Sequence, residues 1–212
     1  MRILQSIPSY ASQPISHQLL LSLLKGYKRP NDKIHELVKK EDLQVLKKGL
    51  YIVGPSLSLI KPEPFLIANH LLGPSYVSLD TALSYHGLIP ERVFEVLSVT
   101  VKQSRKFSNV TGSYHYIHLP LPYYAFGIIN EQFGNGQSVM LASPEKALFD
   151  KIITTKGVVF RSYTQAYYYL LENLRIDIEG LKKFNLEEMR LWLNDAPKKE
   201  SLIHIIKVIE SL

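Results

Sequence analysis

Apolar positions along residues 30–54 change period, and that change predicts the first elements. Ile34, Leu37 and Val38 fall at helical spacing, so one face of a helix can dock on a small core. Pro30-Asn31 opens this helix, and Asn31 or Asp32 is expected to cap its free N–H groups. After Leu43 the order Val45, Lys47-Lys48, Gly49, then Leu50 to Val53 predicts a short hairpin turning at Lys48-Gly49. Upstream, residues 16–25 predict another helix. Ser16 caps it, Leu20, Leu23 and Leu24 form its buried stripe, and Gly26 stops it. Tyr27, in the short link between the two helices, reads either as a plug of their junction or as a ring lying on sugar–phosphate. Ile3, Leu4 and Ile7 suggest one further helical turn before Pro8.

Pro55, Pro62 and Pro64 then mark an extended linker, which places a domain boundary between residues 1–60 and 65–212. Beyond it, Phe65, Ala68 and Leu72 predict a short helix. Leu79, Ala82 and Leu83 predict a second, capped by Ser78 and stopped by Gly87. The β-branched run Val93 to Val101 and the segment Tyr114 to Leu119 read as strands, with residues 102–112 as a basic loop between them. Residues 124–129 and 137–141 flank a favoured turn pair, Asn135-Gly136. Sequential strands without long crossovers imply a mostly antiparallel sheet. Ser143-Pro144-Glu145 opens a helix whose core positions are Ala147, Leu148 and Ile152. Residues 164–174, 186–193 and 200–212 complete the helices, with one of Tyr167, Tyr168 and Tyr169 turned inward. The fold class expected is α+β: an N-terminal winged helix-turn-helix domain, then a mixed α+β domain with a mostly antiparallel sheet.

Charge sharpens the N-terminal reading. From Lys25 to Lys48 eight basic residues face four acidic ones, so this stretch holds +4 of the chain's formal +6. A local excess on a helix joined to a basic-tipped hairpin is the footprint of a phosphate contact, with the helix in the major groove. Lys28, Arg29, Lys33, Lys39, Lys40, Lys47 and Lys48 are the phosphate candidates, and Asn31 and His35 the base readers. Against this, Asp32 and Glu36 point away from the apolar face, and Glu36 can pair with Lys40 four residues on. Those outward carboxylates favour the alternative, a winged-helix protein-interaction module without specific DNA binding.

Composition removes other classes. With no cysteine among 212 residues, disulfides, thiolate metal sites and Cys nucleophiles are excluded. The N-terminus does not read as a signal peptide, and no apolar run reaches the roughly 20 residues that span a bilayer. A soluble, cytoplasmic protein with no membrane contact is expected.

Four stretches taken in order carry a resemblance: KKGLYIVG (47–54), SYVSLDTALSYHGLIPE (75–91), VLSVTVKQSRKF (96–107) and ASPEKALFD (142–150). Together they resemble the AbiEi-type antitoxins of type IV abortive-infection toxin–antitoxin systems. The resemblance implies an autorepressor that binds inverted repeats of double-stranded DNA in its own promoter. It also implies a C-terminal domain that counters a nucleotidyltransferase-like toxin without requiring a stable complex with it. The DNA-binding positions carry over onto Lys28 to Lys40 and onto Lys47-Lys48.

No enzyme, cofactor or metal site is expected. His115 and His118, three apart on a strand, point to opposite faces. His35-Glu36 lacks a second His at zinc-protease spacing, where Lys39 stands. Gly112-Ser113 is not followed by the paired carboxylates that nucleotidyl transfer needs. Asp80 and His86 are six apart on a helix, out of mutual reach, so Ser78, Asp80 and His86 make no triad.

Overall fold

The structure is a computed structural model, and it describes residues 6–212. The expected turn at Ile3 and Leu4 therefore lies outside the described residues, while Ile7–Tyr10 forms a 3-10 turn with Ile7 buried. Strand β1 (Ile15–Ser16) leads into helix α1 (His17–Leu23), where the Ser16 hydroxyl accepts from the Leu19 N–H. Leu20 and Leu24 are buried, and Leu23 only in part. Helix α2 (Pro30–Lys39) follows, then β2 (Leu43–Lys47) and β3 (Leu50–Val53). The hairpin turns at Lys48-Gly49 as the pattern predicts, with Gly49 at φ +82°. Unforeseen in the sequence, β1 adds to the free edge of β3, giving a three-stranded antiparallel sheet in the order β1-β3-β2.

The α2 cap departs from expectation. Arg29 occupies the cap position and Pro30 the first helical one, so neither Asn31 nor Asp32 caps the helix. Proline has no N–H to satisfy and a φ already suited to the first turn, which moves the start ahead of both residues. Asp32 instead lies in the first turn, 3.6 Å from Arg29.

Two apolar cores form. The smaller gathers Ile7, Ile15, Leu20, Leu24, Ile34, Leu37, Leu43 and Val53. The larger belongs to the rest of the chain but also takes in Leu46, Leu50 and Ile52 from the hairpin. The hairpin is thus a shared wall, with one face in each core. Asn109 Nδ2 donates to the Leu46 carbonyl (3.2 Å), and Lys47 Nζ to that of Leu71 (2.6 Å).

At the end of β3, Gly54 lies so close to the α2–β2 junction that a Cβ built on it would sit 1.8 Å from the Glu41 carbonyl oxygen. Backbone cannot rotate aside as a side chain can. Gly54→Ala is expected to cost about 1–3 kcal/mol, the range for forced overpacking. Urea unfolding of the variant measures it, and an unchanged midpoint would contradict the packing described.

The second sheet has six strands in the order β6-β7-β5-β4-β9-β8. They are β4 (Ser75–Val77), β5 (Val96–Thr100), β6 (Arg105–Asn109), β7 (Gly112–His118), β8 (Ile128–Phe133) and β9 (Gln137–Ala142). Two expectations need correction here. Residues 105–109, expected in a basic loop, are a strand: β6 pairs antiparallel with β7 from Arg105↔Tyr116 to Asn109↔Gly112. Their polar side chains hid this, because an edge strand needs only one face on the core. The sheet is mixed, since β5–β7 and β4–β9 are parallel pairs. Inserting β6 between β5 and β7 in sequence lets β7 return in the direction of β5.

Helices α3 (Pro64–Leu71), α4 (Leu79–Tyr85) and α5 (Pro144–Thr154) pack on the larger core. In α3 the buried residues are Leu66, Ile67, Ala68 and Leu71, with Phe65 and Leu72 packed half-buried beside them, so the inward side is wider than the Phe65–Ala68–Leu72 side expected. Ser143 does cap α5, accepting from the Lys146 N–H. Helix α6 (Tyr163–Tyr168) runs on into a π-turn, Tyr169–Asn173; Tyr169 packs on Phe160, while Tyr167 and Tyr168 face outward. Short helix α7 (Ile178–Leu181), then α8 (Leu186–Trp192) and α9 (Lys199–Glu210), complete the chain.

Candidate nucleic-acid interface

Helix α2 presents two exposed stripes of different character. Ile34 and Leu37 hold its inner face in the small core, with Val38 beside them. That fixes the rotation of the helix. Asn31, His35 and Lys39, spaced by four, then lie along one exposed ridge that contains no carboxylate. The next ridge carries Asp32, Glu36 and Lys40. Glu36 sits between two ammonium groups, accepting from Lys33 at 2.8 Å and from Lys40 at 2.7 Å. Lys33 is additionally half-buried over the ring of Tyr27, at 5.7 Å from its centroid. Tyr27 itself packs against the small core, which fits the plug better than a ring lying free on phosphate.

The expected site residues therefore separate into two groups. Lys28, Asn31, His35, Lys39 and Lys48 are exposed and make no ion pair among the described residues. Arg29, Lys33 and Lys40 are each paired with a carboxylate of α2. Lys47 differs from both groups. Its ammonium turns away from the hairpin tip to the carbonyl that ends α3, and burial together with Arg105 and Lys102 pushes it below the usual lysine value. Lys47 and Lys48, adjacent in sequence, thus point to different surroundings.

The two hydrogen bonds from Lys33 and Lys40 hold the Glu36 carboxyl down from 4.5 to about 2. The stabilisation that follows is complete above pH 4.5 and is lost as pH falls through about 2. A carbon-detected NMR titration should place the Glu36 midpoint near 2. In a variant carrying both Lys33→Gln and Lys40→Gln the midpoint should return to the ordinary carboxylate range. An ordinary midpoint in the wild type would remove the bridge.

Sequence reasoning missed a second constellation, far from α2. Asp150 on α5 is fully buried, and each of its carboxylate oxygens accepts two hydrogen bonds. Oδ2 accepts from the hydroxyls of Tyr76 (2.9 Å) and Ser78 (2.7 Å). Oδ1 accepts from the Tyr123 hydroxyl (3.0 Å) and from Lys146 Nζ, also 3.0 Å away. Lys146 is itself fully buried, donates to the Tyr123 carbonyl (3.0 Å), and lies 3.3 Å from the centroid of that ring. Ser78 is therefore no helix cap: its hydroxyl serves Asp150, and its helix starts without a side-chain bond. Burial pushes the Lys146 ammonium below its usual value while Asp150 opposes that, and burial followed by the charge of Asp150 drives the Tyr76 and Tyr123 hydroxyls well above theirs.

The acidic and histidine residues that catalysis would need have separate partners. Asp80 pairs with Lys151 at 2.7 Å, and His86 Nε2 lies 2.9 Å from the Ala142 carbonyl. His115 Nδ1 is 3.9 Å from Glu95, whereas His118 Nδ1 is 3.2 Å from the Lys102 carbonyl. Among the described residues, no group of three or more His, Asp or Glu could hold a metal ion, and no helix is long and apolar enough to cross a membrane.

The architecture belongs to the α+β class. A solved structure with a similar fold is that of the Rv2827c protein from Mycobacterium tuberculosis, at a TM-score of 0.63 and 13% identity, covering 98% of this chain and 76% of that one. At that identity the likeness concerns the fold alone. No family model and no curated protein matches the chain.

Proposed function

We propose that residues 1–60 form a winged helix-turn-helix that binds double-stranded DNA through α2. What carries the reading is the exposed ridge Asn31–His35–Lys39 on a helix that is followed directly by a two-stranded hairpin. The order 3-10 turn, β1, α1, α2, β2, β3, with the sheet ordered β1-β3-β2, supports that reading. In such a unit the second helix of the pair enters the major groove and the hairpin rests on phosphate. Asn31 and His35 offer groups to base edges, while Lys28, Lys39 and Lys48 meet phosphate without first leaving a carboxylate.

On the resemblance described above, the chain acts as an AbiEi-type antitoxin and autorepressor that counters a nucleotidyltransferase-like toxin. Two of the resembling stretches supply four of the five residues of the buried cluster: Tyr76 and Ser78 come from one, Lys146 and Asp150 from the other, while Tyr123 lies outside them. Residues far apart in sequence that meet in one polar centre support a shared fold better than isolated helix caps would.

Mobility shift on the DNA upstream of its own reading frame tests the first half. A shift that survives excess unrelated duplex is the expected result. One abolished by that competitor would reduce the binding to charge, and no shift at moderate salt would favour the protein-interaction module instead. Co-expression with the neighbouring reading frame tests the second half, where relief of growth arrest is expected and persistent arrest would refute it.

A further inference from the structure

The cations of α2 are partly neutralised, but a second basic cluster lies beside the hairpin and is not. Lys102 and Arg105 stand at and just before the start of β6, the end strand of the large sheet. Both are exposed. Strand β6 lies against the hairpin, fastened by the Asn109–Leu46 hydrogen bond. Lys47 Nζ donates to the Leu71 carbonyl and Lys102 Nζ to that of Gly73 (2.5 Å), so both ammonium groups gather at the C-terminal end of α3. Arg105 leans over Phe107, with its guanidinium 4.9 Å from the ring centroid, which leaves its N–H groups free to turn outward. Among the described residues none of the three makes an ion pair, and the charges that act on Lys47 are the other two cations.

We infer that Lys102 and Arg105, with Lys47 between them and the hairpin, form a second phosphate-binding surface that grips the backbone of the duplex held by α2. This rests on the DNA-binding reading above. The hairpin explains the need. Its turn is only Lys48-Gly49, and Lys47 is drawn away from the tip, so the wing by itself brings one free cation to DNA. The large domain supplies beside the hairpin what a longer wing supplies elsewhere. Because Leu46, Leu50 and Ile52 are packed in the large core, the two surfaces move as one body and can engage one duplex together. Phosphodiester is favoured over an acidic protein surface because the cluster continues the hairpin that follows the DNA-reading helix.

Full-length protein titrated against a labelled duplex from its own upstream region, between about 50 and about 200 mM salt, tests this. Arg105→Gln touches no carbonyl and should leave thermal unfolding unchanged. It is expected to weaken binding several-fold and to flatten the slope of log affinity against log salt by about 0.9, the value per phosphate contact. Adding Lys102→Gln should flatten it by about 0.9 again, equally on unrelated duplex. Should both variants keep the wild-type slope while Lys39→Gln lowers it, this second surface is overturned and the α2 reading stands. If wild-type protein shows no salt-dependent binding at all, the DNA-binding reading falls and this inference with it.

Discussion

Asp150→Ala is expected to destabilise the protein by about 3–5 kcal/mol, the usual penalty for removing one partner of a buried ion pair. Set against a typical stability of about 5–15 kcal/mol, such a loss takes the chain close to unfolding. The reason lies in what remains. Lys146 would keep the Tyr123 carbonyl and the rings of Tyr123 and Tyr76, but no counter-charge, and the hydroxyls of Tyr76, Ser78 and Tyr123 would each lose their acceptor inside the core. Lys146→Met should cost less, because its removal leaves a carboxylate that still accepts from three hydroxyls. The order Asp150→Ala worse than Lys146→Met is therefore as diagnostic as either magnitude. Urea unfolding gives both, and an Asp150→Ala variant within about 1 kcal/mol of wild type would show that the cluster is not the clamp its geometry indicates. The clamp joins β4, the start of α4, the 3-10 turn Tyr123–Ala125 and α5, the elements around which the large core closes.

This cluster also marks where sequence reading stopped. Its signal was present: Lys146 and Asp150 are four apart on a helix and share a side with the apolar Phe149 and Ile153. A charged pair set on an apolar side is buried with it, and a buried charge has to be paired. Its partners were not legible, because Tyr76 and Tyr123 come from segments that approach α5 only after the sheet has formed. For the same reason Ser78 passed for a cap. Local rules have a serine before a helix accept from the nearest free N–H, whereas the Ser78 hydroxyl is turned the other way to donate to a buried carboxylate. Where only neighbours in sequence decide, the reading was good: α1 with its Ser16 cap, the α2 core face and the Lys48-Gly49 turn all follow from local pattern. Where a partner arrives from afar, it failed. Lys47 is the clearest instance, a wing-tip lysine by sequence and a tie to the Leu71 carbonyl in space.

Replacing both Lys39 and Lys48 by Glu should weaken binding to any duplex on the order of 100-fold near 100 mM salt, since it removes two phosphate partners and adds two repulsions. Operator and unrelated DNA should lose the same factor, because phosphate contacts carry no sequence information. Asn31→Ala should behave differently, costing about 1–3 kcal/mol on the operator and nothing elsewhere. Glu36→Gln should act in the opposite sense to the lysine changes. It frees Lys33 and Lys40 from the carboxylate now held between them, so non-specific affinity should rise and the salt dependence steepen by up to about two contacts. The wild-type bridge then restrains indiscriminate binding: it leaves the Asn31–His35–Lys39 ridge to set affinity for one sequence while muting the attraction to all others. Anisotropy titrations on both duplexes separate these effects. If Glu36→Gln leaves both affinities unchanged, the outward carboxylates do not face DNA, and α2 is better read as a surface for a protein partner.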